Sequence, residues 1–271
     1  MNRGQDEQVS RDGARPIRVA AAGDVHANDV NRKALAAAFG RVQAECDLIL
    51  LAGDLTTHGE PEQASVLADA CRGLRVPVFA VLGNHDFHSG RDREIVGVLE
   101  DADLRVLERS HAVCEVEGAS VGIVGTKGFV GGFPGAGHIP DFGERLIRAV
   151  YAETTEEADA IEQGLQAVEG CAIRIVLLHY SPSLGTLAGE PEGIWALLGS
   201  HRLGVPIVEH TPDLVVHGHA HEGSFQAEIG AVPVYNVAVQ VTGRDFWIFD
   251  LEGGGAGWET KAAVSVEEPE A

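Results

Sequence analysis

Residues 17–26, IRVAAAGDVH, join an apolar run of β-type composition directly to a glycine–aspartate turn that carries a histidine. The same arrangement recurs at residues 48–54, LILLAGD, and at residues 78–86, VFAVLGNHD. Short continuous apolar runs bounded by Gly and Asp are typical of strands buried on both faces, as in sheets flanked by helices. These stretches therefore predict buried strands, each followed at once by polar side chains.

The rest of the chain continues this alternation. Six β-type runs cover residues 17–22, 47–52, 76–82, 119–124, 172–178 and 213–216. Two more, 232–241 and 245–251, have no helical pattern between them, and we expect an antiparallel hairpin there. Helical periodicity is found at residues 31–45, 62–72, 91–100 and 154–169. Strands that alternate with helices indicate βαβ units, and we predict an α/β fold with two mixed sheets.

The segment 154–169 carries the clearest helical pattern. Thr154 and Glu157 have the spacing of a capping box, which predicts that the helix begins at Thr154. Six acidic and no basic residues lie between positions 153 and 169. That composition predicts an amphipathic helix with an exposed, solvated acidic face.

Length and composition favour one globular domain. The chain has 271 residues, of which 45% are apolar and 23% charged, and this excludes a largely disordered protein. We predict a flexible N-terminus at residues 1–16, a single domain at 17–258 and an acidic tail at 259–271. The four cysteines form no CxxC pair and are expected to be reduced thiols without a role.

The formal net charge of −21 bears on the partners. Such a field repels the phosphate backbone of a long nucleic acid and an anionic membrane surface, so we expect neither as a partner. No apolar run is long enough to form a membrane helix or to serve as a signal peptide. A cytoplasmic protein is therefore expected, and the sequence predicts no oligomeric state.

Side chains that bind metals follow directly after five of the predicted strands. The carboxyl ends of strands in α/β sheets form one edge, where ligands bind, so we expect these groups to converge. Carboxylate, imidazole and carboxamide without thiolate suit Mn, Fe, Zn or Ni, and their number favours two ions. The residues are Asp24, His26, Asp54, Asn84, His85, His179, His219 and His221.

The series GDVH, GDLTTHG, GNHD, LLHYSP and GHAH resembles the calcineurin-like metallophosphoesterase superfamily and includes its five signature blocks. The resemblance implies two mixed β-sheets packed as a sandwich, with helices on both outer sides, and two divalent ions, with Mn, Fe and Zn as candidates. It implies that Asp24, His26 and His221 bind one ion and that Asn84, His179 and His219 bind the other. Asp54 would bridge the two ions, and His85 would be the catalytic histidine.

The activity that the resemblance implies is hydrolysis of a small phosphate ester by attack of a metal-bound hydroxide. The pattern is similar to small bacterial phosphodiesterases and phosphohydrolases. Serine/threonine phosphatases of the superfamily carry GDYVDRG, whereas here Thr57 replaces the aspartate that pairs with the catalytic histidine and His58 replaces an arginine. Protein phosphatase activity is therefore not expected.

The choice of substrate depends on the loops and the local cations. No Lys or Arg lies in any signature block, which favours a phosphodiester, although a phosphomonoesterase acting on a small metabolite and a non-catalytic metal-binding scaffold are alternatives. Loops 126–141 and 181–193 are expected to shape the pocket. Candidate substrate contacts are His58, Phe129, Phe133 and His138.

Overall fold

The structure is a computed structural model and describes residues 15–252 and 259–261. In that part of the chain, twelve strands form two six-stranded sheets. The strands are β1 Ile17–Ala22, β2 Leu48–Ala52, β3 Val78–Val81, β4 Leu104–Val106, β5 Ser110–Val116, β6 Ala119–Gly125, β7 Ile173–Leu177, β8 Leu214–His217, β9 Gln226–Ile229, β10 Val232–Asn236, β11 Trp247–Leu251 and β12 Glu259–Lys261.

Both sheets are mixed. The first has the order β12-β11-β1-β2-β3-β4, and β1 to β4 run parallel while β11 and β12 pair antiparallel. The second has the order β5-β6-β7-β8-β10-β9, in which β6, β7, β8 and β10 are parallel and the edge strands β5 and β9 are antiparallel. The expected α/β fold with two mixed sheets is confirmed.

Helices cover the outer faces of both sheets. They are α1 Arg32–Val42, α2 Pro61–Cys71, α3 Asp92–Glu100, α4 Arg145–Ala167, α5 Trp195–Leu198, α6 His201–His210 and α7 Val239–Thr242. Residues of α1, α2 and α3 share a core cluster with the first sheet, and residues of α4 and α6 share one with the second. The predicted position of the helices on both outer sides is therefore confirmed.

The inner faces of the two sheets pack against each other. Val19 and Leu50 of the first sheet lie in one cluster with Ile175 and Val216 of the second. Successive side chains of a strand point to opposite faces, so the intervening residues of the same strands face the helices. Both faces of the central strands are thus buried, which is why their sequences read as continuous apolar runs.

The six apolar runs that the sequence marks as strands are all present, as are strands in the two later runs, but four strands were not predicted. β4, β5, β9 and β12 are edge strands of their sheets. β4 has only three residues, and β5 and β9 alternate buried or half-buried with exposed positions. Edge strands of this kind contain polar residues and therefore lack the continuous apolar run used to find the others.

The hairpin expected at residues 232–251 is wrong. β10 belongs to the second sheet and β11 to the first, and the short helix α7 lies between them. The segment between the two strands pairs with the end of β1, since Gly23 forms a bridge with Ala238. The chain therefore crosses from one sheet to the other instead of turning back on itself.

The expected start of α4 is also wrong. The helix begins at Arg145, and Thr154 lies inside it, where its hydroxyl donates to the carbonyl oxygens of Val130 and Val150. A threonine that bonds back to the preceding turn does not need to be a cap. Glu157 is buried, so the acidic face is not wholly solvated as expected.

The predicted domain boundaries fall largely at the margins of the described chain. Residues 1–14, most of the predicted flexible N-terminus, and residues 262–271 of the predicted tail lie outside the described residues. Within the predicted tail, Glu259–Lys261 form β12 and pair with β11. The single domain at 17–258 stays a prediction.

Candidate metal centre

The candidate ligands lie where parallel strands of both sheets end. Asp24 follows β1, Asp54 follows β2 and Asn84 follows β3, while His179 follows β7. His219 and His221 follow β8. The two sheets pack face to face, and the carboxyl ends of these strands therefore bring side chains from distant parts of the sequence to one place.

Several of these turns adopt a backbone conformation that is uncommon outside glycine. The φ angles are +58° at Asp24, +43° at His26, +48° at Asp54 and +69° at His219. Non-glycine residues in the left-handed region cost free energy and persist only where the surroundings fix them. Four such residues in one site indicate turns constrained by the placement of their side chains.

Glycines beside the candidate ligands allow the turns to approach closely. A Cβ atom on Gly83 would lie 2.2 Å from both the backbone nitrogen and Oδ1 of Asp54. A Cβ on Gly218 would lie 2.2 Å from Oδ2 of Asp24. A side chain at Gly83 of GNHD or at Gly218 of GHAH would collide with a carboxylate on a neighbouring turn, so both positions require glycine.

The side chains form two groups that share one carboxylate. In each group the potential ligand atoms lie within 4.8 Å of one another. Asp54 belongs to both, with Oδ2 3.8 Å from His26 Nε2 and Oδ1 3.4 Å from His179 Nε2. The groups are Asp24, His26, Asp54 and His221, and Asp54, His179 and His219.

Asn84 adjoins the second group, because its Oδ1 lies 2.9 Å from His179 Nε2. The Nδ1 of His179 lies 3.0 Å from the carbonyl oxygen of Ala52. A carbonyl oxygen only accepts, so Nδ1 carries a proton. When the ring is neutral, Nε2 and Asn84 Oδ1 both present lone pairs, and a cation bound by both atoms would satisfy them together. In His219 the other ring nitrogen, Nε2, lies 3.2 Å from a carbonyl oxygen, that of Leu197. In its neutral ring Nε2 therefore carries the proton, and Nδ1 keeps the lone pair.

The surroundings of the site lower the pKa of its carboxylate Asp24 and of two of its imidazoles, His26 and His219. Burial raises the pKa of Asp24, but the hydrogen bond from His221 and the charges of His179 and His221 outweigh it, and the pKa lies below its ordinary value. The same hydrogen bond, 2.8 Å long, raises the pKa of His221. Burial lowers the pKa of His26, and that of His219 to about 3. A neutral imidazole is the form that binds a metal ion.

His85 lies beside these groups without joining them. Its backbone N–H donates to Asp54 Oδ1 at 2.8 Å, and its ring Nδ1 lies 2.8 Å from the carbonyl oxygen of Thr57. The other ring nitrogen, Nε2, is 3.9 Å from Asp54 Oδ2, and the ring centroid is 4.7 Å from that of His26. The ring is thus held by a main-chain carbonyl, with its second nitrogen towards the site.

Asp86 joins the turn after β2 to the turn after β3. Its buried carboxylate accepts hydrogen bonds from the backbone N–H groups of Leu55, Thr56 and Gly83 and from the Thr56 hydroxyl. Burial raises the pKa of this carboxyl. The contacts fix Asp54 and Asn84 relative to each other, because each turn carries one of them.

The four predicted substrate contacts occupy different positions. His58 is exposed on the wall of a cavity of about 580 Å³, and the Phe129 ring centroid lies 4.4 Å from Lys127 Nζ. Phe133 is only 3% exposed and packs with Leu187, so it anchors its loop to the core. His138 is exposed, 6.4 Å from the His201 ring. Their roles towards substrate stay predictions.

Two contacts were not predicted from the sequence, one beside the metal centre and one under the loop after β6. The Tyr180 ring lies 4.5 Å from that of His219. Its position directly after His179 was the available signal. Buried Glu157 accepts from the Thr126 hydroxyl and, at 2.8 Å, from the backbone N–H of Gly128. It stands 31 residues from Thr126 in an acidic helix, and the sequence offers no signal for this contact.

The comparisons agree with this geometry. A family model for calcineurin-like phosphoesterases matches residues 17–223, and the chain belongs to that family. The family uses divalent metals, and the Asp and His groups described above have the donor types that such ions bind. A comparison with curated proteins found no significant match.

Several solved structures share the fold. TT1561 of Thermus thermophilus is 20% identical, covers 91% of this chain and 99% of its own, and has a TM-score of 0.56. Phosphopantetheinyl hydrolase of Mycobacterium tuberculosis is 14% identical, with 84% and 90% coverage and a TM-score of 0.61. GAP50, the anchor in the inner membrane complex of Plasmodium, is 12% identical, with 92% and 85% coverage and a TM-score of 0.59. Within the described residues of this chain, no helix is long and apolar enough to span a bilayer.

Proposed function

We propose that this protein is a metal-dependent phosphoesterase that hydrolyses a small phosphodiester at a dinuclear centre. The observation that carries the proposal is the position of Asp54, whose carboxylate belongs to two adjacent groups of metal-binding side chains. A carboxylate with one oxygen towards each group suits a bridge between two ions. Membership of the phosphoesterase family supports the reaction type.

In this proposal the two groups hold one divalent ion each, with Mn, Fe and Zn as candidates. Bound divalent ions supply positive charge to the phosphoryl oxygens and lower the pKa of water. The protein's part is to fix the ligands, which it does through the constrained turns and the carbonyl contact that orients the His179 ring. The ligands are Asp24, His26 and His221 for one ion, Asn84, His179 and His219 for the other, and Asp54 for both.

His85 is proposed as the catalytic residue. Its Nδ1–H donates to the Thr57 carbonyl, and Nε2 lies on the side of the site, 3.9 Å from Asp54 Oδ2 and beyond hydrogen-bond distance of it. When protonated, Nε2 can donate to a phosphoryl oxygen as charge develops there, or protonate the leaving oxygen. Neither role requires His85 to bind a metal ion.

The preference for a diester rests on the local cations. A monoester dianion is usually held by additional cationic donors, and the strand-end turns that carry the candidate ligands contain no Lys or Arg. A diester carries one charge less and needs fewer such donors. The net charge of −21 further favours a small substrate over a long nucleic acid. A cytoplasmic location is also part of the proposal.

A non-catalytic scaffold is the alternative from another class. GAP50, which is named as an anchor, shares the fold. A scaffold has no need for two complete groups of metal-binding side chains held in strained turns, and their presence favours the enzyme. A phosphomonoesterase acting on a small metabolite is the alternative among enzymes, since it would use the same centre.

The test is hydrolysis of bis-p-nitrophenyl phosphate and p-nitrophenyl phosphate with added Mn²⁺. We expect preferential turnover of the diester that Asp54→Asn abolishes, while Asp159→Asn, at an exposed position of α4, retains it. Preferential turnover of the monoester would replace the diester proposal. Bound metal without turnover of either ester would support the scaffold.

A further inference from the structure

A cavity of about 330 Å³ lies next to the candidate metal centre. Its walls include Leu82, which precedes the GNHD turn, and Phe87, which lies two residues after His85. Lys127 completes this side, and its carbonyl oxygen accepts the backbone N–H groups of both His179 and Tyr180 at 3.0 Å. The cavity therefore shares the loop after β3 with the centre and is joined to the His179 turn through the Lys127 carbonyl.

The Lys127 ammonium group is held mainly by aromatic rings. Nζ lies 4.4 Å from the ring centroid of Phe129, 5.4 Å from that of Tyr180 and 5.6 Å from that of Phe87. It donates a hydrogen bond to the Gly128 carbonyl oxygen at 3.1 Å, and no carboxylate of the described chain lies within 4.0 Å. Its remaining protons are available to a ligand.

The charges around the cavity argue against a second phosphate group there. Glu153 and Glu157 pair with Arg109, which also contacts Glu156 outside the cavity wall. Glu108 has no cation within 4.0 Å in the part of the chain that the structure describes, and burial raises its pKa. Acids thus outnumber the cations Lys127 and Arg109, so an anion would be repelled, whereas a neutral ring with polar edges would not.

We infer that this cavity binds the nucleobase of a nucleoside phosphodiester whose phosphate lies at the metal centre. The inference rests on the proposed function and names its substrate class. Phe87 is 38% exposed, and its ring lines the cavity as a surface for stacking. Lys127 can donate to a base carbonyl or ring nitrogen, and Glu108 can accept from a base N–H.

The second cavity beside the site is less suited to a base. It measures about 580 Å³ and is lined by Asp29, Glu60 and Glu62 together with amide side chains and His58. Among its lining residues there is no Phe, Tyr or Trp, nor any Lys or Arg. The ring of Phe87 and the ammonium group of Lys127 both line the first cavity, which therefore carries the inference.

The test compares two diesters that share a leaving group, thymidine 5′-(p-nitrophenyl phosphate) and methyl p-nitrophenyl phosphate. We expect Phe87→Leu and Lys127→Met to lower kcat/KM for the thymidine ester roughly tenfold or more, mainly through KM, since stacking and hydrogen bonds to the base are lost. The methyl ester should change less than twofold. Matched controls at exposed positions, Phe142→Leu and Lys33→Met, should leave both esters unchanged.

Equal losses on both esters, or no loss on either, would overturn the base site while leaving the phosphodiesterase intact. Failure of the wild-type protein to cleave either ester would instead overturn the proposed function. In that case calorimetric binding of unphosphorylated thymidine still decides the base site, because it needs no turnover. Binding that Phe87→Leu weakens and Phe142→Leu does not would support it, and absence of binding would overturn it.

Discussion

The ring Nδ1 of His85 lies 2.8 Å from the backbone carbonyl oxygen of Thr57. Thr57 stands where related protein phosphatases carry the aspartate that pairs with the catalytic histidine. The main chain thus orients this imidazole without adding a negative charge. The Thr57 hydroxyl is used elsewhere, donating to the His26 carbonyl oxygen at 2.9 Å and accepting from Asn28.

His85→Ala should separate metal binding from turnover. The ring belongs to neither group of metal-binding side chains, so we expect the metal content to be retained. Turnover should fall by about 10²–10⁴-fold, the usual contribution of a general acid. Metal analysis together with diester hydrolysis checks this, with His111→Ala on an exposed position of β5 as the control. Full activity would remove His85 from the mechanism.

Gly83→Ala should disturb the shared carboxylate. The added Cβ would lie 2.2 Å from the backbone nitrogen and Oδ1 of Asp54, so this turn must move. We expect weaker metal binding and a loss of activity of at least tenfold. Gly97→Ala in α3 is the matched control, since nothing lies within 4 Å of its new Cβ and alanine favours the helix by about 1 kcal/mol. Unchanged metal affinity in Gly83→Ala would contradict the geometry of the site.

Glu157→Gln should destabilise the loop that carries Lys127. The carboxylate accepts from Arg109, from the Thr126 hydroxyl and from the Gly128 N–H, and it is buried. Arg109 is 34% exposed and keeps two other carboxylates, so no buried charge is left without a partner. We expect denaturant unfolding to show a loss of about 1–3 kcal/mol, the usual cost of weakening the hydrogen bonds of a buried polar group. Glu156→Gln, at an exposed position beside it, should change stability by less than about 0.5 kcal/mol.

Lys127→Met should stabilise the metal-free protein at neutral pH. Burial lowers the pKa of Lys127 below its ordinary value, although Glu157 and Glu153 oppose the shift. Between the lowered pKa and that of the unfolded chain, near 10.4, the unfolded state binds more protons, so the stability of the wild type rises with pH in this window. The advantage of Lys127→Met should be largest at neutral pH, where it should appear as a higher Tm, and should shrink as pH rises. An advantage that stays constant up to pH 10 would show that the charge is not its cause.

The strand ends of the candidate site could be predicted from the sequence because they combine two signals. Each has a largely apolar run, which arises from burial on both faces, followed closely by a metal-binding side chain, and after β1, β2, β3 and β8 a glycine directly precedes that side chain. Those runs are among the best buried in the molecule, as at Leu48–Ala52. Local sequence therefore places these groups at the carboxyl edge without knowledge of the complete fold.

The contacts that cross from one sheet or helix to another could not be predicted in this way. The Glu157 carboxylate reaches Gly128 over 29 residues, and the short helix α7 separates β10 from β11 so that they join different sheets. Neither arrangement produces a periodic pattern in the nearby amino-acid sequence. The cavity beside Lys127 is of the same kind, since its walls come from four separate segments of the chain.

The proposed dinuclear centre, with Asp54 shared between its two groups of ligands, is tested most directly by titrating the metal-free protein with Mn²⁺ and recording electron paramagnetic resonance spectra. We expect two bound Mn²⁺ per chain with the spectrum of a spin-coupled pair, and loss of the coupling in Asp54→Asn but not in Asp159→Asn. Binding of a single uncoupled ion, or a coupled pair that survives Asp54→Asn, would contradict it.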